Sequence, residues 1–244
     1  MLLNKILKVV LLLLGGVFIV LQGFVLEKEG DTLSALMLVL LTILYCVWTK
    51  RKSKLFIGFL IAFTLGHILS FLAWYGAEVK EGEVDYYYYG SNILYIISYL
   101  FLIFKIILPV NIKKVFKELV IPIVILFALD VFCVILVTDT TKGTLSNNEY
   151  MLEFVYNAVI MVLLSVALLD YMYKNDNKSM LFLVGSICMV FSEIIQLAYY
   201  YIIDDKTLAF IFSFFLVVSF VFFYVQSQLK FSDPEPEYFD ITNG

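Results

Sequence analysis

Eight apolar runs, each near the ~20 residues that carry an α-helix across bilayer hydrocarbon, follow one another along this chain with only short polar islands between them. They occupy residues 6–26, 33–49, 55–75, 88–108, 119–137, 151–173, 180–203 and 208–228. In lipid no backbone polar group finds water, so each run must close its own hydrogen bonds as a helix. Only 16% of residues are charged and 62% are hydrophobic, whereas a soluble domain carries about 25% charge. The expected fold is therefore an all-α integral membrane protein, a single bundle of eight transmembrane helices over residues 1–229, followed by an acidic, Pro-punctuated tail (230–244) too polar to fold.

The basic residues give this bundle a direction. Thirteen of the seventeen lie at the amino terminus (Lys5, Lys8), in the second, fourth and sixth loops (Lys50, Arg51, Lys52, Lys54; Lys105, Lys113, Lys114, Lys117; Lys174, Lys178) and in the tail (Lys230). The intervening loops hold Lys28, Lys80, Lys142 and Lys206. Cytoplasmic loops retain Lys and Arg, so both termini are expected in the cytoplasm, in a bacterial inner membrane. The first run follows two lysines as a signal peptide would, but no small-residue cleavage pattern ends it, and it reads as a retained helix.

Composition also removes some function classes. A net charge of −4 argues against nucleic acid. One histidine and three scattered cysteines, Cys46, Cys133 and Cys188, argue against a His/Cys metal centre. No metal, cofactor or disulfide is expected, and the oligomeric state is left open.

Ionisable groups within a span are costly unless they face the protein interior or a wet cavity. His67, Asp130 and Glu193 lie 13, 13 and 15 residues past Lys54, Lys117 and Lys178, a climb of about 20–22 Å for each. On the descending helices Asn92 lies seven residues past Asp85 and Asn157 eight past Glu149, about 10–12 Å below the outer surface. Tyr95 shares the face of Asn92, Ser192 adjoins Glu193, and Gln196 and Gln22 lie nearer the outer mouth. One polar layer in the outer half of the membrane is expected. Such groups also serve as clasps between helices with no chemistry attached, and Asp130, with no local motif, is open to that alternative. The run Tyr86, Tyr87, Tyr88, Tyr89 reads as part of an interfacial aromatic belt.

Gly66-His67-Ile68-Leu69 and Ser192-Glu193-Ile194-Ile195 lie 126 residues apart, close to half the chain. This is the weak similarity expected of a duplicated four-helix unit. These segments also carry a resemblance. Gly185, six apolar or small residues, then Ser192-Glu193 resembles the Gly, six such residues and Ser-Asp of the YhhN family of eight-helix membrane proteins, which includes the lysoplasmalogenases. Leu65-Gly66-His67-Ile68-Leu69 resembles its Gly-Asp-hydrophobic-Leu segment, and Asn92-Ile93-Leu94-Tyr95 its His-x-x-Tyr. This chain has His67 and Glu193 where the family typically has Asp, and Asn92 where it has His.

The resemblance implies hydrolysis of the vinyl ether bond of a single-chain ether phospholipid, with the membrane lipid as partner. Such chemistry needs an acid and a base of separated pKa. Glu193 is the candidate acid and His67 the candidate base, with Asn92, Tyr95, Asn157, Asp130, Ser192 and Gln196 as the substrate-binding set. The outer loops carry eleven acids against four lysines, which favours a zwitterionic or ammonium-bearing head group, although acids also collect wherever the topology rule excludes Lys and Arg. Two other readings fit the same residues: a non-catalytic lipid-binding protein of this fold, and a proton-coupled small-molecule carrier.

Overall fold

The computed structural model describes residues 2–50, 52–76 and 83–229, so the acidic tail and part of the third loop lie outside the described residues. Eight helices are long and apolar enough to cross a membrane: α1 (Leu2–Gly23), α2 (Glu27–Trp48), α3 (Lys54–Ala73), α4 (Tyr86–Ile107), α6 (Val120–Asp139), α7 (Asn147–Lys174), α8 (Asn177–Tyr201) and α9 (Lys206–Gln228). They match the eight apolar runs in order. A short helix, α5 (Ile112–Glu118), stands between α4 and α6, where the sequence reading placed only loop. Asn111 caps it by accepting from the Lys114 N–H.

Several helices begin earlier than the apolar runs do, because the first turn of a membrane helix lies in the interface, where polar residues cap it. Helix α2 starts at Glu27 rather than near residue 33, which moves Asp31 from the expected outer loop into a helix. Helix α7 starts at Asn147 behind a capping box: Ser146 accepts from the Glu149 N–H, and the Glu149 carboxylate accepts from the Ser146 N–H. Asp205 caps α9 by accepting from the Thr207 N–H at 2.6 Å, which holds its carboxyl below the usual carboxylate range. Lys105, counted with the basic residues of the fourth loop although it lies inside the 88–108 run, sits in the last turn of α4. Its ammonium donates to Gln226 Oε1 at 2.9 Å and lies 5.0 Å and 4.8 Å from the ring centroids of Phe56 and Phe182, so aromatic faces and an amide replace water around it.

Packing produces a ring of seven helices. Helix α1 packs on α2, α2 on α3 and α3 on α4; α4 then meets α7, α7 meets α8, α8 meets α9, and α9 returns to α1. Helix α6 stands outside, packed chiefly on α7, and it presents Ile121, Phe127 and Phe132 outward, each more than 60% exposed. The core centres on Phe59, which is fully buried, its ring 5.6–5.8 Å from those of Phe56, Phe63, Phe220 and Phe223. Two glycines allow close approaches of aromatic side chains from the neighbouring helix. A Cβ on Gly66 would meet Tyr95 Cε1 at 2.5 Å, and one on Gly185 would meet Phe223 Cδ1 at 2.8 Å, so α4 and α9 can lie directly against α3 and α8.

Candidate functional site

A cavity of about 470 Å³ opens within the ring, bounded by α2, α3, α4, α7, α8 and α9. That volume suits a small ligand or the polar part of a larger one. Six residues named from the sequence, His67, Asn92, Tyr95, Asn157, Glu193 and Gln196, line it together. Asp130 and Ser192 do not. Asp130 accepts from Ser165 Oγ at 2.9 Å on the α6–α7 contact, because α6 stands outside the ring. Ser192 is buried and donates to the Phe212 carbonyl at 2.8 Å, tying α8 to α9. Both are clasps between helices.

Glu193 is held from two sides. The Tyr99 hydroxyl donates to Oε1, and the Tyr156 hydroxyl donates to Oε2 at 2.7 Å. The two phenols lie 3.5 Å apart, and Tyr99 is fully buried. Three helices thus fix one carboxyl group. Hydrogen bonds to a charged acceptor are worth about 1.5–3 kcal/mol each, and a phenol without its partner would carry an unmet desolvation cost. The two phenols therefore orient Glu193 and stabilise the negative charge it acquires on losing a proton.

His67 is oriented from α2. Ser34 Oγ donates to the Asp31 carbonyl at 2.9 Å and lies 3.1 Å from His67 Nδ1. A hydroxyl has one proton; with that proton on the carbonyl, Ser34 accepts from Nδ1–H. In that arrangement the ring proton is on Nδ1 and Nε2 is the basic nitrogen; the other tautomer is the one in which Ser34 donates to Nδ1 instead. The imidazole packs against both Phe63 and Tyr95, at centroid distances of 5.0 Å and 5.3 Å, and those two rings also touch each other at 5.1 Å. Tyr95 in turn meets Tyr156 edge-on at 6.5 Å and hydrogen-bonds Ser70 through its hydroxyl at 3.2 Å. The ring of Tyr95 therefore touches both the histidine and the phenolic clamp of Glu193.

The structure adds residues that sequence reasoning missed. Asp31 and Glu153 bring two further carboxylates to the cavity wall. Asp31 Oδ2 accepts from Trp74 Nε1 at 2.8 Å, and Glu153 Oε1 accepts from Asn157 Nδ2 at 3.2 Å. Glu153 is one turn before Asn157 on the same helix face, a spacing visible in the sequence. Tyr99 follows Tyr95 by the same four residues, so it too was within reach. Asp31 was masked by its place outside the apolar run. Tyr88, read as belt, lines the cavity instead, while Tyr86 is 82% exposed. Asn92 donates Nδ2 to the Tyr88 carbonyl at 2.8 Å, which leaves its side-chain oxygen as the remaining acceptor.

Among the described residues the wall carries Asp31, Glu153, Glu193 and the tyrosines 88, 95, 156, 200 and 201, with no lysine or arginine. Carboxylates and aromatic faces attract cations, ammonium groups in particular. No family model matches the chain, and no curated protein or solved structure matches it either. What the site does is therefore read from its own chemistry.

Proposed function

We propose that the chain is a lysoplasmalogenase-like membrane hydrolase, a divergent relative of the YhhN family, that cleaves the vinyl ether bond of a single-chain ether phospholipid. The observation that carries this reading is one cavity lined by a carboxyl group clamped by two phenols and by an imidazole whose Nδ1 lies 3.1 Å from the Ser34 hydroxyl. Glu193 gives its proton to the enol-ether carbon, and the phenols stabilise the carboxylate left behind. Water attacks the resulting oxocarbenium carbon and passes a proton to His67 Nε2. Collapse of the hemiacetal then releases the aldehyde: His67 protonates the departing glycerol oxygen, and Glu193 recovers a proton from the hemiacetal hydroxyl. Both groups return to their starting states.

The remaining wall suits the head group. Asp31, Glu153 and the tyrosines would face the ammonium of a choline or ethanolamine head. The bundle is oriented with both termini in the cytoplasm of a bacterial inner membrane, a reading supported by the thirteen basic residues on one side. A four-plus-four duplication is supported by the matching glycine-to-aromatic contacts of α3 with α4 and α8 with α9, although the halves meet unequally, α4 on α7 but α9 on α1.

The test is release of fatty aldehyde from a choline lysoplasmalogen by purified protein in nanodiscs. Aldehyde formation supports the hydrolase. A second reading, a proton-coupled carrier, is favoured by three carboxylates and a histidine in one cavity; uptake of a small solute into proteoliposomes driven by a pH gradient, with no aldehyde formed, would replace the first reading. Tight lipid binding with neither activity would indicate a lipid-binding protein.

The tautomer makes its own prediction. In a Ser34→Ala variant Nδ1 loses its acceptor and the ring no longer holds one tautomer, so turnover should drop about tenfold, a fraction of what a general base supplies, with lipid affinity little altered. A Ser34→Thr variant, which restores the hydroxyl, should recover most of the loss. Equal turnover in Ser34→Ala and wild type would show that the serine does not set the base.

A further inference from the structure

The polar cavity adjoins an apolar one. A groove of about 270 Å³ runs along the junction of α1, α2 and α9, walled by leucines, valines and Met37. Leu216 lines both spaces. Ser34, at the head of the groove, is the residue that orients His67. From this end the wall descends from Ser34 to Leu44 on α2 and from Phe18 to Lys8 on α1, about 15 Å at ~1.5 Å per residue. That is half of the ~30 Å hydrocarbon core, the depth one acyl chain of one leaflet occupies. At the far end the Lys8 ammonium lies 5.3 Å from the Tyr224 ring centroid. Polar groups therefore mark the two ends of the groove, and the stretch between them is apolar. Gly15 packs against two residues of its wall: a Cβ there would meet Val217 Cγ1 at 3.0 Å and Met37 Cε at 3.7 Å.

The groove faces outward, with Leu12, Val221 and Val225 on its wall 59%, 39% and 42% exposed, so a hydrocarbon chain can reach it from the bilayer; with the polar chamber beside it, the pair has the outline of an amphiphile. We infer that the groove is the chain-binding subsite of the cavity: the hydrocarbon tail of a single-chain lipid lies between α1, α2 and α9 while its head and first carbons occupy the polar chamber. The groove adjoins the chamber at Leu216. The inference rests on the proposed lipid substrate and not on its hydrolysis.

The test uses lysophosphatidylcholine with a photoreactive diazirine near the end of its chain, bound to the full-length protein in nanodiscs. Labelling should concentrate on groove residues such as Met37, Leu41, Val217 and Val221. A Val217→Trp variant, which fills the groove, should cut that labelling about tenfold while labelling of the lipid-facing Phe127 and Phe132 on α6 stays unchanged. If Val217→Trp fails to fold, Met37→Trp fills the same space from α2. Label spread over α6 and the groove in proportion to exposure, or groove labelling indifferent to both tryptophans, would overturn the inference. Groove labelling by wild-type protein that releases no aldehyde would sink the hydrolase and leave the groove standing. Aldehyde release without groove labelling would sink the groove alone.

Discussion

Glu193→Gln should lower aldehyde release by about 10²–10⁴-fold, the contribution of a positioned general acid, and leave the bundle folded. Gln nearly matches Glu in shape. Its carbonyl oxygen accepts from one of the two phenols, and its amide nitrogen donates to the oxygen of the other, so the contacts with Tyr99 and Tyr156 survive in altered form. What disappears is the proton. The measurement is the aldehyde yield per mole of protein, with size-exclusion behaviour and melting temperature as controls for folding. Activity within a few-fold of wild type would remove Glu193 from the role of acid. Binding of the same lipid should persist, because the proposed head-group and chain subsites are built from other residues.

The largest expected effect on stability is at Phe59. Truncation to alanine should cost about 3–5 kcal/mol, since the ring is fully buried and packs against four other phenylalanines drawn from α3 and α9. In a membrane no hydrophobic transfer opposes the loss of contacts between helices, so the cost arises mainly from dispersion contacts given up to a void that neighbouring side chains fill only partly. Phe127→Ala on α6 is the control: that side chain is 69% exposed and faces outward, so its removal should change stability by no more than about 0.5 kcal/mol. Unfolding of both variants in detergent, followed by helical circular dichroism, compares them directly. A loss at Phe59 as small as that at Phe127 would show that the ring does not key α3 to α9.

The two substitutions probe features that were unequally visible beforehand. The layer of polar residues was legible because a span offers few places to hide a charge: His67, Glu193, Asn92 and Asn157 were found by depth, Tyr95 by sharing a helix face with Asn92 and Gln196 by lying nearer the outer mouth, and all line one cavity. Depth does not give azimuth. Asp130 lies in a span like the others, yet it faces Ser165, because where a helix stands in the ring is decided by which neighbours it packs against. The same limit hid the clamp. Tyr99 and Tyr156 are unremarkable tyrosines in apolar runs until α4, α7 and α8 are brought together around Glu193. Asp31 was missed for a different reason: hydropathy ends a helix where polar residues begin, whereas the backbone continues for another turn or more into the interface.

By itself, then, the sequence determined the number of spanning helices and their order, because backbone hydrogen bonds in hydrocarbon allow each run only one solution. It also determined which side chains would be expensive to bury, and so where chemistry was to be sought. Only the tertiary structure decided that seven of the eight spans close a ring with α6 outside it, that Glu193 is gripped by two phenols while Ser34 lies against His67, and that an apolar groove lies beside the polar cavity. These depend on the rotation and neighbours of each helix, which are set by close packing at residues such as Gly66, Gly185 and Phe59 and leave almost no trace in hydropathy.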